Sequence, residues 1–158
     1  MSARASDVEV RPATPGEVVE VVGILDAAML DVGVGRVRSL VDGDDGGAVL
    51  VAVADGPAVG ALVLGAPDPG APASAGDREI EAIAVRPGRR GRGIGSALVR
   101  AASERTPGDL VAAFDAGVRP FYERLGFAIE PIEEDRFRGR WSGSLPEDGS
   151  GDTSLRSR

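Results

Sequence analysis

The sequence predicts an α/β chain of the α+β kind, and three observations carry that prediction. Apolar β-rich runs and amphipathic helical stripes follow one another as strand, two helices, three strands, helix, strand, helix and one or two closing strands. Residues 48–54 and 58–64 are two such runs joined by Asp55-Gly56-Pro57, which reads as an antiparallel hairpin. Between residues 80 and 114 a strand, a helix and a strand succeed one another, which calls for a parallel pair with a right-handed crossover.

Each element has its own local signal. Val8 and Val10 flank Glu9 as a short first strand, and Thr14-Pro15-Gly16-Glu17 is a capping box with proline at the first helical position. The helix it opens carries Val18, Val21, Val22, Leu25, Ala28 and Met29 on its apolar face and should run to about Asp31. Gly33 and Gly35 break it, and Val37, Leu40 and Val41 mark a second short helix ending at the Asp- and Gly-rich turn 42–47. After the hairpin, residues 66–76 form a Pro, Gly and Ala loop that buries too little surface to order itself. Ile80-Glu81-Ala82-Ile83-Ala84-Val85 has strand length and β-branched content. Ile94, Ala97, Leu98 and Ala101 then repeat at helical spacing until Pro107. Residues 110–114 are a further strand. Val118, Phe121, Tyr122 and Leu125 form a helical stripe that Asp115 can cap and Gly126 stops. Ile129, Ile132, Phe137 and Trp141 suggest closing strands around Glu133-Glu134-Asp135. The expected domain is 8–141, with 142–158 as a flexible polar tail.

Composition removes several function classes. The chain of 158 residues suits one domain. It has no apolar run of about 18 residues and no charged-then-apolar start before a cleavage site, so no membrane association is expected and the cytoplasm is the expected compartment. Without cysteine there is neither a disulfide framework nor a thiolate nucleophile; without histidine the commonest general base and metal ligand are missing. No metal is expected, and acid–base work falls to carboxylates, tyrosine, water or termini. The net charge is −7, yet all 18 basic residues are arginine. GC-rich codon usage and adaptation to salt both account for such a composition. An acidic chain is a poor general binder of nucleic acid, whereas the local cluster Arg86, Arg89, Arg90 and Arg92 suits a small polyphosphate.

That cluster belongs to the stretch Val85-Arg86-Pro87-Gly88-Arg89-Arg90-Gly91-Arg92-Gly93-Ile94-Gly95-Ser96-Ala97-Leu98, which joins the strand to the helix through glycine and arginine. The first amides of a helix lack intrahelical partners and sit at the positive end of its dipole, so they hold phosphate well. A dinucleotide fingerprint would need glycine where Ser96 stands, and the Gly-Lys-Ser/Thr ending of a P-loop is absent. What remains is Arg90-Gly91-Arg92-Gly93-Ile94-Gly95, an Arg-x-x-Gly-x-Gly after Val-x-Pro. It resembles the acyl-CoA signature of the GNAT N-acetyltransferase superfamily. A second block, Asp115-Ala116-Gly117-Val118-Arg119-Pro120-Phe121-Tyr122-Glu123-Arg124-Leu125-Gly126-Phe127, resembles the family's Phe-Tyr-x-x-Leu-Gly-Phe helix, in the order the family uses.

The resemblance implies a central, mixed, mostly antiparallel twisted sheet of six to seven strands flanked by about four helices. It implies an N-acetyltransferase with acetyl-CoA as cosubstrate and a small-molecule or peptide amine as acceptor, transferring directly in a ternary complex as a monomer or homodimer. Main-chain groups of Ile83, Ala84 and Val85 would bond the pantetheine arm and acetyl oxygen. Arg90, Gly91, Arg92, Gly93, Ile94, Gly95 and Ser96 would hold the pyrophosphate, and Phe121 would border the cofactor. Tyr122 matches the family's general acid, its alternative being a core aromatic. Strand alternation places Glu79, Glu81, Ile83 and Val85 on one face. The family often carries a base on this strand, so Glu81 is the first candidate and Glu79 the second; the alternatives are a solvated strand end or attraction of a cationic acceptor. Asp115 stands where the family often has asparagine, so a cap is its simpler role. Two other classes stay open: a GNAT-fold module that senses acyl-CoA without turnover, and an accessory protein that binds RNA through the arginine-rich turn.

Overall fold

Helix-stop signals and strand alternation set the element boundaries in the computed structural model, which describes residues 8–70 and 73–142. In chain order these are β1 (Glu9–Pro12), α1 (Val18–Ala27), α2 (Val34–Val41), β2 (Ala48–Val53), β3 (Ala58–Gly65), β4 (Arg78–Val85), α3 (Ile94–Glu104), β5 (Leu110–Asp115), α4 (Arg119–Leu125), β6 (Ala128–Glu133) and β7 (Arg136–Trp141). Seven strands form one sheet in the order β1-β2-β3-β4-β5-β7-β6. Among the described residues only β4 and β5 pair in parallel; every other neighbouring pair is antiparallel. The mixed, mostly antiparallel sheet and four helices among the described residues agree with the sequence. Of the tail expected over 142–158, all but Ser142 lies outside the described residues.

The sheet separates two apolar cores. Alternation along β2 sends Leu50 and Ala52 to the side of α3 and α4, while Val49 and Val51 face α1 and α2. On the first side Leu62, Leu64, Ile80, Ile94, Leu98, Leu110, Phe114 and Tyr122 pack together; on the second Val18, Val21, Ile24, Leu25, Val37 and Leu40 pack against Val63 and Ala82. All eight residues of β3 are buried, as a strand covered on both faces requires. Each fully buried Leu or Ile contributes about 1.5–3 kcal/mol over leaving it in water.

The first helix departs from its expected length. It ends at Ala27, and Met29 is 92% exposed with φ +62°. The Met29 amide bonds Asp26 O at 2.8 Å and the Leu30 amide reaches back to Leu25 O at 2.9 Å, a Schellman closure with Met29 in the left-handed position usually given to glycine. The apolar face therefore uses Ile24, not Met29. At the other end the expected capping box is present, with the Thr14 amide donating to Glu17 Oε1 at 2.9 Å. Asp115 does not act as the cap expected of it. Its Oδ1 accepts from Arg136 Nη1 at 2.8 Å across β5 and β7, with no side-chain cap bond to the following turn.

A second departure lies in β4. Val63 pairs with Ala82 but Leu64 pairs with Ile80, so Glu81 is the extra residue of a β-bulge. Ile80 consequently joins the core beneath α3 and α4, while Ala82 and Ala84 join the other. The single face expected for Glu79, Glu81, Ile83 and Val85 is thus broken at Glu81.

The parallel pairing is short. Arg78, Glu79 and Ile80 pair with Leu110, Val111 and Ala112, after which the strands part. At the closed end, Asp77 is only 3% exposed; its Oδ1 accepts from the Asp109 amide at 2.8 Å and its Oδ2 from the Ser74 amide at 2.8 Å and Arg140 Nη1 at 3.2 Å. These bonds, the two backbone amides foremost, hold the Asp77 carboxyl below its ordinary value. Asp77→Asn must turn its NH2 towards one of the donors that now bond the carboxylate, and we expect a loss of about 2–3 kcal/mol in denaturant unfolding. The sign with pH follows from the lowered value: the wild-type stabilisation is complete above about pH 5 and is lost as pH falls through the folded-state value, and the variant should show a flatter acid dependence.

Candidate active site

The chain leaves β4 through a 3-10 turn (Pro87–Arg89), and Gly91 and Gly93 then take φ +79° and +81°. Only glycine adopts that conformation without strain, so these two positions set the loop's path into α3. The first bond of α3 runs from the Ala97 amide to Gly93 O at 3.0 Å. Among the described residues the amides of Gly91, Arg92, Gly93, Ile94, Gly95 and Ser96 have no backbone acceptor. They lie in the loop before, and the first turn of, a helix of 11 residues, at its positive end.

This cradle opens onto a cavity of about 420 Å³. Its walls include Ile83, Ala84, Val85, Arg90, Gly91, Gly93, Ile94, Gly95, Ser96 and Phe121. Arg92 is the one residue of the expected set that does not line it. The arginine cluster is also redistributed. Arg86 donates from Nε to Ala58 O at 3.0 Å and lies 3.9 Å from Glu20, so it ties β4 to β3 and α1 instead of facing the cavity. Arg89, Arg90 and Arg124 supply the positive charge there, and Arg90 is held by a 3.1 Å bond from its Nε to Val85 O. Arg124 escaped the sequence reading; its signal was helical spacing, three residues after Phe121 on α4.

A second cavity, of about 340 Å³, occupies the gap where β4 and β5 part. Ile83, Val118 and Phe121 belong to the walls of both cavities. Glu81 and Tyr122 both line the second one, together with Asp115, Arg136 and Leu30. The bulge turns Glu81 out of the regular alternation, and α4 carries Tyr122 in against Phe114, with ring centroids 4.4 Å apart and the planes stacked. Phe121 and Phe127 meet Tyr122 edge-on at 5.0 Å. Tyr122 is only 4% exposed, and burial pushes its phenol well above the ordinary value. No hydrogen-bond partner for that hydroxyl is found among the described residues.

The two candidate glutamates differ. The Glu79 carboxylate accepts from the Asp68 amide at 2.8 Å in the loop after β3, lines neither cavity, and has its carboxyl raised chiefly by burial. Glu81 receives Arg36 of α2, whose Nε lies 3.2 Å from Oε1 while Nη2 bonds Oε2.

The glycine loop at the start of α3 thus adjoins a cleft between parting strands, with Glu81 and Tyr122 on the cleft's walls. The family model for the acetyltransferase (GNAT) domain matches residues 45–129, and the chain belongs to that family of acetyltransferases. No curated protein sequence matches it. Among solved structures, a GNAT-family protein from Desulfovibrio desulfuricans is 23% identical, with a TM-score of 0.71 over 87% of this chain and 99% of that one. YncA from Salmonella typhimurium, solved with its cofactor acetyl-CoA, is 16% identical with a TM-score of 0.70 over 91% of this chain and 97% of its own. The PaiA N-acetyltransferase from Thermoplasma acidophilum, in complex with coenzyme A, is 14% identical with a TM-score of 0.69 over 90% and 99%. At these identities the likeness is one of fold.

Gly93→Ala forces a Cβ into the left-handed region, and we expect a loss of about 1–2 kcal/mol in unfolding free energy. Because the same residue lies within the run of unbonded amides and caps α3, affinity for ADP should fall as well, as measured by isothermal titration calorimetry.

Proposed function

We propose that the chain transfers the acetyl group of acetyl-CoA directly to a small-molecule or peptide amine, making it an N-acetyltransferase. The observation that carries this reading is the adjacency of the two cavities, with the glycine cradle in one, Glu81 and Tyr122 in the other, and Ile83, Val118 and Phe121 common to both. A pyrophosphate held by the amides of Gly91 to Ser96 leaves the pantetheine arm to run along the edge of β4 that no strand covers beyond Ile80. Arg89, Arg90 and Arg124 offset the ligand's charge; the Arg86 amide bonds Val59 O of β3, so by alternation the amides of Val85 and Ile83, and not that of Ala84, face the gap as donors for the thioester oxygen.

In the reaction a C–N bond forms between the amine and the thioester carbonyl carbon, and the C–S bond breaks. Glu81 takes the proton that the amine loses, and Tyr122 supplies one to the departing thiolate. This need for a base is greatest for a lysine-type amine, of pKa about 10.4 and neutral in roughly one molecule in a few thousand at pH 7; an α-amine of pKa about 8 is neutral in about a tenth. The raised phenol keeps Tyr122 protonated near neutral pH, the state a donor needs. Its hydroxyl, which lacks a partner among the described residues, gains one in the sulfur of coenzyme A. Glu79, bonded to the Asp68 amide, serves the loop between β3 and β4.

The test is a panel of an alanine-initiated peptide, a lysine side-chain analogue, spermidine, an aminoglycoside and amino acids, incubated with acetyl-CoA while free thiol is followed. One of these should release thiol in proportion to enzyme. Coenzyme A binding without amine-dependent thiol release points instead to a sensing module. Glu81→Gln and Tyr122→Phe should each lower kcat by about 100-fold with little change in KM for acetyl-CoA; unchanged turnover in Tyr122→Phe removes the acid assignment. Glu79→Gln should leave kcat near that of the wild type.

A further inference from the structure

Glu81 is the bulged residue of β4, and a bulge frees a side chain from the sheet's alternation without fixing where it points. Two residues distant in sequence supply that fixing. Arg36, 45 positions earlier on α2, meets both carboxylate oxygens, Nε to Oε1 at 3.2 Å and Nη2 to Oε2. Gly65, the last residue of β3, lies directly beneath the pair. A Cβ built there would collide with Glu81 Oε2 and stand 2.9 Å from both Arg36 Nη2 and Glu81 Cδ. The absent side chain at Gly65 is thus the space through which α2 reaches the bulge, although Gly65 takes no left-handed conformation.

We propose that Arg36 is a positioning residue for Glu81: its two-point grip, made possible by Gly65, fixes the direction of the carboxylate of a residue that lines the opening between β4 and β5. The inference rests on the reading of Glu81 as the base and extends it to how the base is held. A planar guanidinium contacting both oxygens restrains rotation of the carboxylate as well as its position, which a single-point ammonium does not. Both partners retain solvent contact, with side-chain exposures of 39% for Arg36 and 25% for Glu81, so the pair contributes little to folding and its value lies in geometry.

The experiment compares Arg36→Gln, Arg36→Lys, Gly65→Ala and Glu81→Gln in thiol release with acetyl-CoA and the fastest acceptor of the panel above. Thermal melting and the arginine Nε–H region of a 1H–15N spectrum are recorded in parallel. Arg36→Gln should lower kcat by about 10- to 100-fold, with KM for acetyl-CoA and the melting temperature nearly unchanged. Arg36→Lys should recover part of the loss, and Gly65→Ala should lower kcat with Arg36 intact. The wild-type spectrum should contain an exchange-protected Arg36 Nε–H that disappears in Glu81→Gln and Gly65→Ala, a readout that needs no acceptor. Arg36→Gln with wild-type or higher kcat overturns the proposal, as does an unprotected Nε–H in the wild type or an activity loss that merely follows a fall in melting temperature. Glu81→Gln at full rate removes the base reading itself; a slow Glu81→Gln beside a fast Arg36→Gln removes only the positioning role.

Discussion

The rest of the site depends on how briefly β4 and β5 stay together. Three residue pairs join them, and beyond Ile80 and Ala112 the strands separate. A parallel pair that parts inside a domain leaves main-chain groups facing a gap, and buried groups of that kind are costly unless something bonds them. The fold bears this by closing one end firmly. Asp77 and Asp109 both accept from Arg140 of β7, and Asp77 also bonds amides on either side of the pair. With one end tied, the other stays open, and in the proposed reaction the pantetheine arm's own amides and carbonyls would stand in for the missing strand.

Aromatic packing keeps the gap from collapsing. Phe114 of β5, Phe121 and Tyr122 of α4, and Phe127 before β6 form a continuous set, and Phe127 also stacks on Trp141 at 6.2 Å. Gly139 lies under Phe114 and Phe127 where a Cβ would stand 3.1 Å from both rings. This wedge seats the short helix α4, with only seven residues, on Phe114 of β5 and beside Gly95 at the start of α3. A helix so short has little stability of its own and takes its position from what it packs on. Tyr122 is therefore at once a core aromatic and a wall of the cleft. The two roles weighed for it in the sequence are compatible, because the hydroxyl sits at the end of a ring that the core already holds.

Most of this was legible where one local rule determined the outcome. Gly91 and Gly93 announced the loop, the spacing of Ile94, Ala97 and Leu98 announced the helix behind it, and the cavity gathers ten of the eleven residues assigned to cofactor binding. The failures arose where a residue's role depends on a partner remote in sequence. The bulge at Glu81 is a mismatch of register between β3 and β4, which neither strand encodes alone. Asp115 had the spacing of a cap, but Arg136 came within 2.8 Å through the pairing of β5 with β7. Met29 obeyed the helical period two residues beyond Ala27, where the Schellman closure ended the helix. Arg86 belonged to the arginine run by sequence and to Ala58 and Glu20 in space.

The same distinction orders the electrostatics. A chain of net charge −7 repels a polyanion at long range, so attraction has to be local and within about a Debye length. Arg89, Arg90 and Arg124 provide it from two separate elements, and the amides of the loop add donors that carry no net charge and no side-chain entropy. Carboxylates elsewhere on the surface cost the cradle little at this range, because solvent screens them. Within the cleft the order reverses. Glu81 and Asp115 each have an arginine partner, Arg36 and Arg136, so the proposed amine acceptor would meet paired charges instead of a bare acidic pocket. On that proposal, selection among amines would depend on the apolar walls, Leu30, Ile83, Val118 and Phe121, and on how closely the nitrogen can approach Glu81.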